Sequence, residues 1–211
     1  MSRSRLLQLA VPLVKNYGFT REALARSVLD LPPSEAHPQP LSETAVSALF
    51  GSGDIARTTL INAWLDDGIC QMKAASGLPM KNILSSRLKL NEPVLQHLPE
   101  AFSILATSTS GPLPLDPRPV LYHVAKIADE ACYIARDTSL QLGWYSRRAS
   151  LAAIYSAAEL HQLTSPNTTY NFLDSLLHGS SSLKSSLDEV NLFSSYVVKS
   201  WAGIIKSSGI F

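Results

Sequence analysis

Apolar residues in this chain recur at intervals of three and four rather than two, and the runs they form stop at Gly, Pro and Ser clusters. That period predicts helices throughout and leaves no stretch that alternates like a strand. The pattern places helices over Ser4–Tyr17, Arg21–Leu29, Ser42–Phe50, Asp54–Ala75, Pro79–Leu90, Pro93–Ala106, Val120–Arg136, Trp144–Leu163, Thr168–Leu177 and Ser181–Lys206. Gly18 stands where a helix C-terminus favours a positive φ, Thr20 and Ser42 stand at N-cap positions, and Pro12 is expected to bend or shorten the first helix. Pro32, Pro33, Pro38 and Pro40 make the segment from Leu31 to Leu41 a loop, and Thr107 to Pro119 reads as a second one. Short helices come first and long ones after, giving three expected units: a helix-turn-helix-like subdomain over 1–56, a helical body over 57–178, and a linker with an amphipathic helix over 179–211.

Two of these helices have unusual surfaces. In the eighth, Ala149, Ala152, Ala153, Ala157 and Ala158 point in several directions, so neighbours can approach on more than one side. Its first turns nevertheless carry Trp144, Tyr145 and Arg148, with Trp144, Arg148, Leu151 and Tyr155 on one stripe. Trp and Arg are enriched at interface hot spots, which suits a protein contact; a Trp capping the core beside an Arg paired with an acid suits the same spacing. The last helix places Leu183, Leu187, Val190, Phe193, Val197, Trp201, Ile204 and Ile205 within a stripe roughly 120° wide. Periodicity allows it to dock on its own bundle, on a partner or on a membrane surface.

Composition narrows the class. With 45% hydrophobic and 17% charged residues over 211 positions, the chain can bury a substantial core and is not of disordered type. A net charge of +1 supplies no general attraction for nucleic acid. The first three helices have the order of a helix-turn-helix, yet no Lys or Arg lies between Ser27 and Ala56, where Asp30, Glu35, Glu43 and Asp54 are acidic. A DNA reader needs cations there. Cys70 and Cys132 are expected to be buried free thiols. No apolar run is long enough to span a bilayer.

Catalytic chemistry is hard to find. There is no nucleotide fingerprint, and His37, His97, His123, His161 and His178 occur singly, without a Glu-x-x-His pair. No catalytic residue, cofactor or metal is assigned, and the chain reads as a non-enzyme. Trp64, Ile69, Met72, Leu98, Phe102, Leu105, Ile127 and Ile134 can line an apolar cavity between the long helices or simply fill the core.

The block Trp144-Tyr-Ser-Arg-Arg-Ala-Ser-Leu-Ala-Ala-Ile-Tyr-Ser-Ala-Ala-Glu-Leu160, with His97-Leu-Pro-Glu-Ala-Phe-Ser-Ile-Leu105, resembles the mitochondrial ubiquinone-biosynthesis accessory proteins, a lipid-binding family with a TetR-like fold. The resemblance implies an all-α, TetR-like bundle with a non-DNA-binding helix-turn-helix remnant and about nine or ten helices. It also implies a protein that holds isoprenoid quinone lipid and supports the di-iron demethoxyubiquinone hydroxylase beside other ubiquinone-biosynthesis proteins. Trp144, Tyr145 and Arg148 match the family's surface for that hydroxylase. The acid that often precedes the Trp in the family is absent, with Gln141 nearby and Asp137 the closest carboxylate in sequence. The terminal helix, through Leu187, Val190, Phe193, Val197, Trp201, Ile204 and Ile205, becomes the membrane contact on the matrix side of the mitochondrial inner membrane. Trp64, Ile69, Met72, Phe102, Leu105, Ile127 and Ile134 become the lipid lining. The other readings are a ligand-responsive TetR-type regulator and a structural helical subunit without lipid; whether two copies form a homodimer stays open.

Overall fold

The computed structural model describes residues 2–35, 37–107, 116–139 and 142–182. Every regular element among them is helical: α1 (Arg3–Tyr17), α2 (Arg21–Arg26), α3 (Glu43–Phe50), α4 (Asp54–Met72), α5 (Met80–Asn91), α6 (Leu98–Ala106), α7 (Arg118–Ile134), α8 (Leu142–Thr164) and α9 (Thr169–Ser182). The expected helix from Ser181 to Lys206 lies outside the described residues beyond 182, and α9 continues through the serines that were expected to form a linker.

Local chemistry explains the boundaries. The Thr20 hydroxyl accepts from the Ala23 N–H at 3.3 Å and the Ser42 hydroxyl from the Ala45 N–H at 3.2 Å, so both expected N-caps form. Gly18 ends α1 at φ 66° with its N–H on the Val14 carbonyl. Pro12 does not shorten α1, which runs to Tyr17. Its ring and Gln8 both face solvent, so water can satisfy the carbonyl that loses its donor. The helix expected to reach Leu29 stops at Arg26 and tightens into a 3₁₀ turn over Ser27–Asp30. The proline-rich loop, expected to hold no helix, contains one 3₁₀ turn at Pro33–Glu35, because Pro at a first helical position is already set for that φ.

Gly51 is the most constrained glycine. It follows α3 at φ 108°, and a Cβ there would lie 2.4 Å from Ile55 Cγ2. Gly51→Ala therefore combines a backbone that L-residues avoid with a clash against α4, and should cost about 2–3 kcal/mol. For a chain this long, thermal denaturation followed by circular dichroism should show a midpoint lower by about 5–10 °C.

The core has two apolar clusters. One joins Leu6, Val14, Leu24, Val46 and Phe50 of the first three helices to Leu60, Trp64, Phe102 and Leu160. The other joins Met72, Leu84 and Leu88 to Ile127, Ala131, Ile154, Tyr155 and Leu173. Helix α8 packs against α7 on one side and α9 on the other. From Ile154 to Leu160 it is buried all round, as its alanines allow. Cys132 is buried as expected, but Cys70 is exposed. It falls on the polar face of α4 with the exposed Asn62 and Asp66, spaced four apart.

Candidate functional site

Helices α7 and α8 together build the surface to which the Trp144 block belongs. At the start of α8, Trp144 is 38% and Tyr145 69% exposed, and their rings meet edge to face at 4.7 Å. Arg148, one turn on, folds back over the Trp144 ring at 3.9 Å and donates from Nη1 to the Trp144 carbonyl at 3.4 Å. Its Nε donates to Asp129 of α7 at 2.6 Å, and its Nη1 lies 3.7 Å from Asp137. Arg147 reaches the other Asp137 oxygen at 3.2 Å.

Asp137 is nearly enclosed. Burial works to raise its pKa, but the Ser139 hydroxyl and backbone and the two arginines outweigh it and hold the carboxyl below its ordinary value. The pairing of Arg148 with acids, which one reading of this stripe expects, is present. Arg148 is paired internally, and the aromatic rings it steadies stay open to solvent. The Arg148–Asp129 pair, whose acid is exposed, stabilises by little, and an Arg over a Trp adds about 0.5–1 kcal/mol. Their main effect is to hold Trp144 in one orientation, which lowers the ordering cost of any contact it makes.

The structure adds residues that the sequence reading missed. Tyr122, Lys126, Asp129 and Tyr133 follow one another at spacings of four, three and four along the solvent face of α7. Tyr122 is 65% and Tyr133 76% exposed, and Lys126 lies over the Tyr122 ring while bonding Asp66 at 2.8 Å. Of the large apolar side chains exposed among the described residues, Leu121, Tyr122, Tyr133, Trp144 and Tyr145 all belong to α7 and α8. The signal was available in the spacing of Tyr122 and Tyr133, which attention to the buried face of α7 passes over.

Beside this surface, between the ends of α4 and α7, opens a cleft of about 630 Å³ lined by Lys73, Ser76, Glu130, Tyr133, Arg136 and Ile134 among others. Of the residues expected to line a lipid cavity, Ile134 alone reaches it. Trp64, Phe102 and Leu105 belong to the first apolar cluster. Met72, Ile127 and Ile134 belong to the second, with Ile69 packed against it. Leu187, Val190, Phe193, Val197, Trp201, Ile204 and Ile205, the expected membrane contact, lie outside the described residues.

Near the contact of the two clusters sits a polar group that the hydrophobic pattern did not foresee. Arg87, fully buried, donates to Asn91 at 2.6 Å and packs over Trp64 at 5.1 Å. A Cβ on Gly68 would lie 3.1 Å from its guanidinium carbon, so the absence of a side chain there makes room for it. Asn91 donates to Glu159 and to Gln162, both at 3.1 Å, and the Tyr155 hydroxyl donates to Glu159 at 2.9 Å. His123 lies 4.0 Å from the same carboxylate. Burial raises the pKa of Glu159 and Tyr155, while burial, then Arg87 and Lys126, push His123 well down. No group of three or more metal-ligating side chains occurs among the described residues.

These features define an all-α bundle with an aromatic and arginine-bearing surface across two neighbouring helices. The family resemblance carried by the Trp144 block is matched by the comparisons: residues 118–184, which include all of α7 and α8, match the COQ9 family. The chain is 34% identical over 132 residues to "Ubiquinone biosynthesis protein coq9, mitochondrial" of Schizosaccharomyces pombe, covering 61% of this chain and 50% of that protein. The COQ9 proteins of Rattus norvegicus and Homo sapiens are 29% and 27% identical over 192 and 179 residues, covering 82% and 81% of this chain and 57% and 54% of theirs. The chain thus spans about half the length of the curated relatives it matches, and those relatives are named mitochondrial.

Proposed function

We propose that this chain is a lipid-binding accessory protein of ubiquinone biosynthesis, peripheral to the matrix face of the mitochondrial inner membrane. It holds prenylated quinone precursors and presents them to the demethoxyubiquinone hydroxylase. The observation that carries this reading is the steadied, solvent-facing set of Trp144, Tyr145 and Arg148 within the segment that matches COQ9. The α7 face at Tyr122 and Lys126 extends the docking surface. A prenyl tail is nearly insoluble, so lifting its head group toward an enzyme at the membrane is a task for a carrier rather than for diffusion. No helix among the described residues is long and apolar enough to cross a membrane. The stripe from Leu187 to Ile205 supplies the membrane contact in this reading.

The N-terminal helices support a reading without nucleic acid. Arg21, the cation nearest α3, is spent on Glu43 at 2.6 Å and Ser47 at 2.8 Å. Arg57 is spent on the Phe19 carbonyl, Asp54 and Glu100. A surface whose flanking cations are already paired has little left for phosphates.

Mass spectrometry of organic extracts from the purified full chain tests the lipid-binding step. The expected result is an isoprenoid quinone species present in near-stoichiometric amount. Extracts holding only the lipids recovered from an unrelated helical protein prepared alongside would remove lipid carriage from the account.

A further inference from the structure

We propose that the cleft between the ends of α4 and α7 is a binding site for the phosphate head group of an anionic phospholipid. It would form a second membrane contact, separate from the terminal stripe. This second contact rests on the membrane placement proposed above and is independent of any lipid cargo. The cleft, at about 630 Å³, has room for a head group. Lys73 stands at the C-terminus of α4, Ser76 three residues on, and Arg136 just past the end of α7. Lys73 and Arg136 are exposed and carry no ion pair or side-chain hydrogen bond among the described residues. The other charges nearby cancel, since Arg147 and Arg148 are matched by Asp129 and Asp137. Against these two cations stands one carboxylate that no arginine among the described residues matches, Glu130, one of whose oxygens is buried. The lip is therefore net positive by one charge.

Two further features favour a bilayer over a soluble phosphate compound. Tyr133, on the cleft wall, is 76% exposed, and Leu78, two residues beyond Ser76, is 46% exposed. Tyrosines and cations side by side are the composition of a protein surface seated at head-group depth. Arg136 also holds φ 52°, an uncommon conformation for a residue with a side chain. A glycine would be easier there, and the chain instead places a guanidinium at the mouth of the cleft.

Vesicle sedimentation with the full chain decides the matter, using phosphatidylcholine alone and phosphatidylcholine mixed with phosphatidylglycerol, at low salt. Binding should be stronger to the mixed vesicles. Lys73→Ala and Arg136→Gly should each weaken it about fivefold, the equivalent of about 1 kcal/mol per cation. Arg136→Gly relaxes the backbone, so its loss cannot be assigned to misfolding. Glu130→Gln should act in the opposite direction and strengthen binding. Lys15→Ala, a change to an exposed cation on α1, is the control and should leave binding unchanged. The inference is overturned if the two vesicle types bind alike, if Lys15→Ala matches Lys73→Ala, or if Glu130→Gln weakens binding. Glycerol 3-phosphate shifting the amide resonances of Lys73 and Arg136, with vesicle binding insensitive to both substitutions, would assign the cleft to a soluble phosphate and overturn the lipid. Failure to sediment with any vesicle would instead count against the membrane placement itself.

Discussion

Glu159→Ala should be the most damaging single substitution in the bundle, lowering stability by about 3–5 kcal/mol in the manner of a buried ionic cluster that loses one member. The carboxylate is completely enclosed and collects the Asn91 amide and the Tyr155 hydroxyl on one oxygen. Alanine strands the Tyr155 hydroxyl without an acceptor and removes a carboxyl group that interacts electrostatically with Arg87. Glu159→Gln keeps an oxygen at the same place and should cost under about 1.5 kcal/mol, the net worth of an ordinary hydrogen bond. Arg87→Met should be milder than Glu159→Ala, because it removes the guanidinium Nε and Nη2 that lack partners and keeps an apolar stem over Trp64. Urea denaturation of the three variants orders them.

The same cluster sets a pH dependence of two opposed signs. Glu159 has a folded pKa above its ordinary 4.5, so its favourable contribution is complete below that value and is lost as pH rises through the folded pKa. His123 is pushed well below its ordinary 6.5. The unfolded chain therefore binds the proton more readily, and stability contributed by neutral His123 is present above 6.5 and lost as pH falls. Glu159→Gln should remove the first slope and His123→Gln the second. If both variants kept the wild-type profile, neither group would titrate as its surroundings require.

The helices were legible because their signals are local. Thr20, Ser42 and Gly18 act within four residues of themselves, and of the α8 alanines Ala157 and Ala158 are buried while Ala149 is exposed. The 3₁₀ turns at Ser27–Asp30 and Glu92–His97 were not separable from the helices beside them, since the same residues suit both hydrogen-bond patterns. The buried polar cluster was invisible for a different reason. Arg87 with Asn91, and Tyr155 with Glu159 and Gln162, have the spacing of a solvated helix face. What buries them is pairing across 68 and 71 residues, which no local pattern encodes. The proposed docking surface was half legible: Trp144, Tyr145 and Arg148 stood out as a block, whereas Asp129, the nearer partner of Arg148, belongs to another helix. The cleft needs three segments brought together, and the sequence does not show that Trp64, Phe102 and Leu105 lie in one apolar cluster while Met72, Ile127 and Ile134 lie in the other.

Trp144→Ala should abolish most of the affinity for the hydroxylase while leaving the fold intact. Trp144 is exposed enough that its removal costs the bundle little, yet its indole ring is held in one orientation by Arg148. Losing a central Trp of an interface costs about 2 kcal/mol or more, so the Kd should rise about thirtyfold or beyond. Tyr122→Ala should give a smaller rise, because Tyr122 lies at the edge of that surface, on α7. Arg148→Glu should match Trp144→Ala in binding but also lower the thermal midpoint, since it sets a third carboxylate against Asp129 and Asp137.

Calorimetric titration of the demethoxyubiquinone hydroxylase with the full chain and with Trp144→Ala is the most direct measurement. The account predicts saturable binding by the parent chain and a loss of about thirtyfold in the variant, with superimposable helical circular dichroism. Equal affinities for the two chains, or no heat of binding with either, would contradict it.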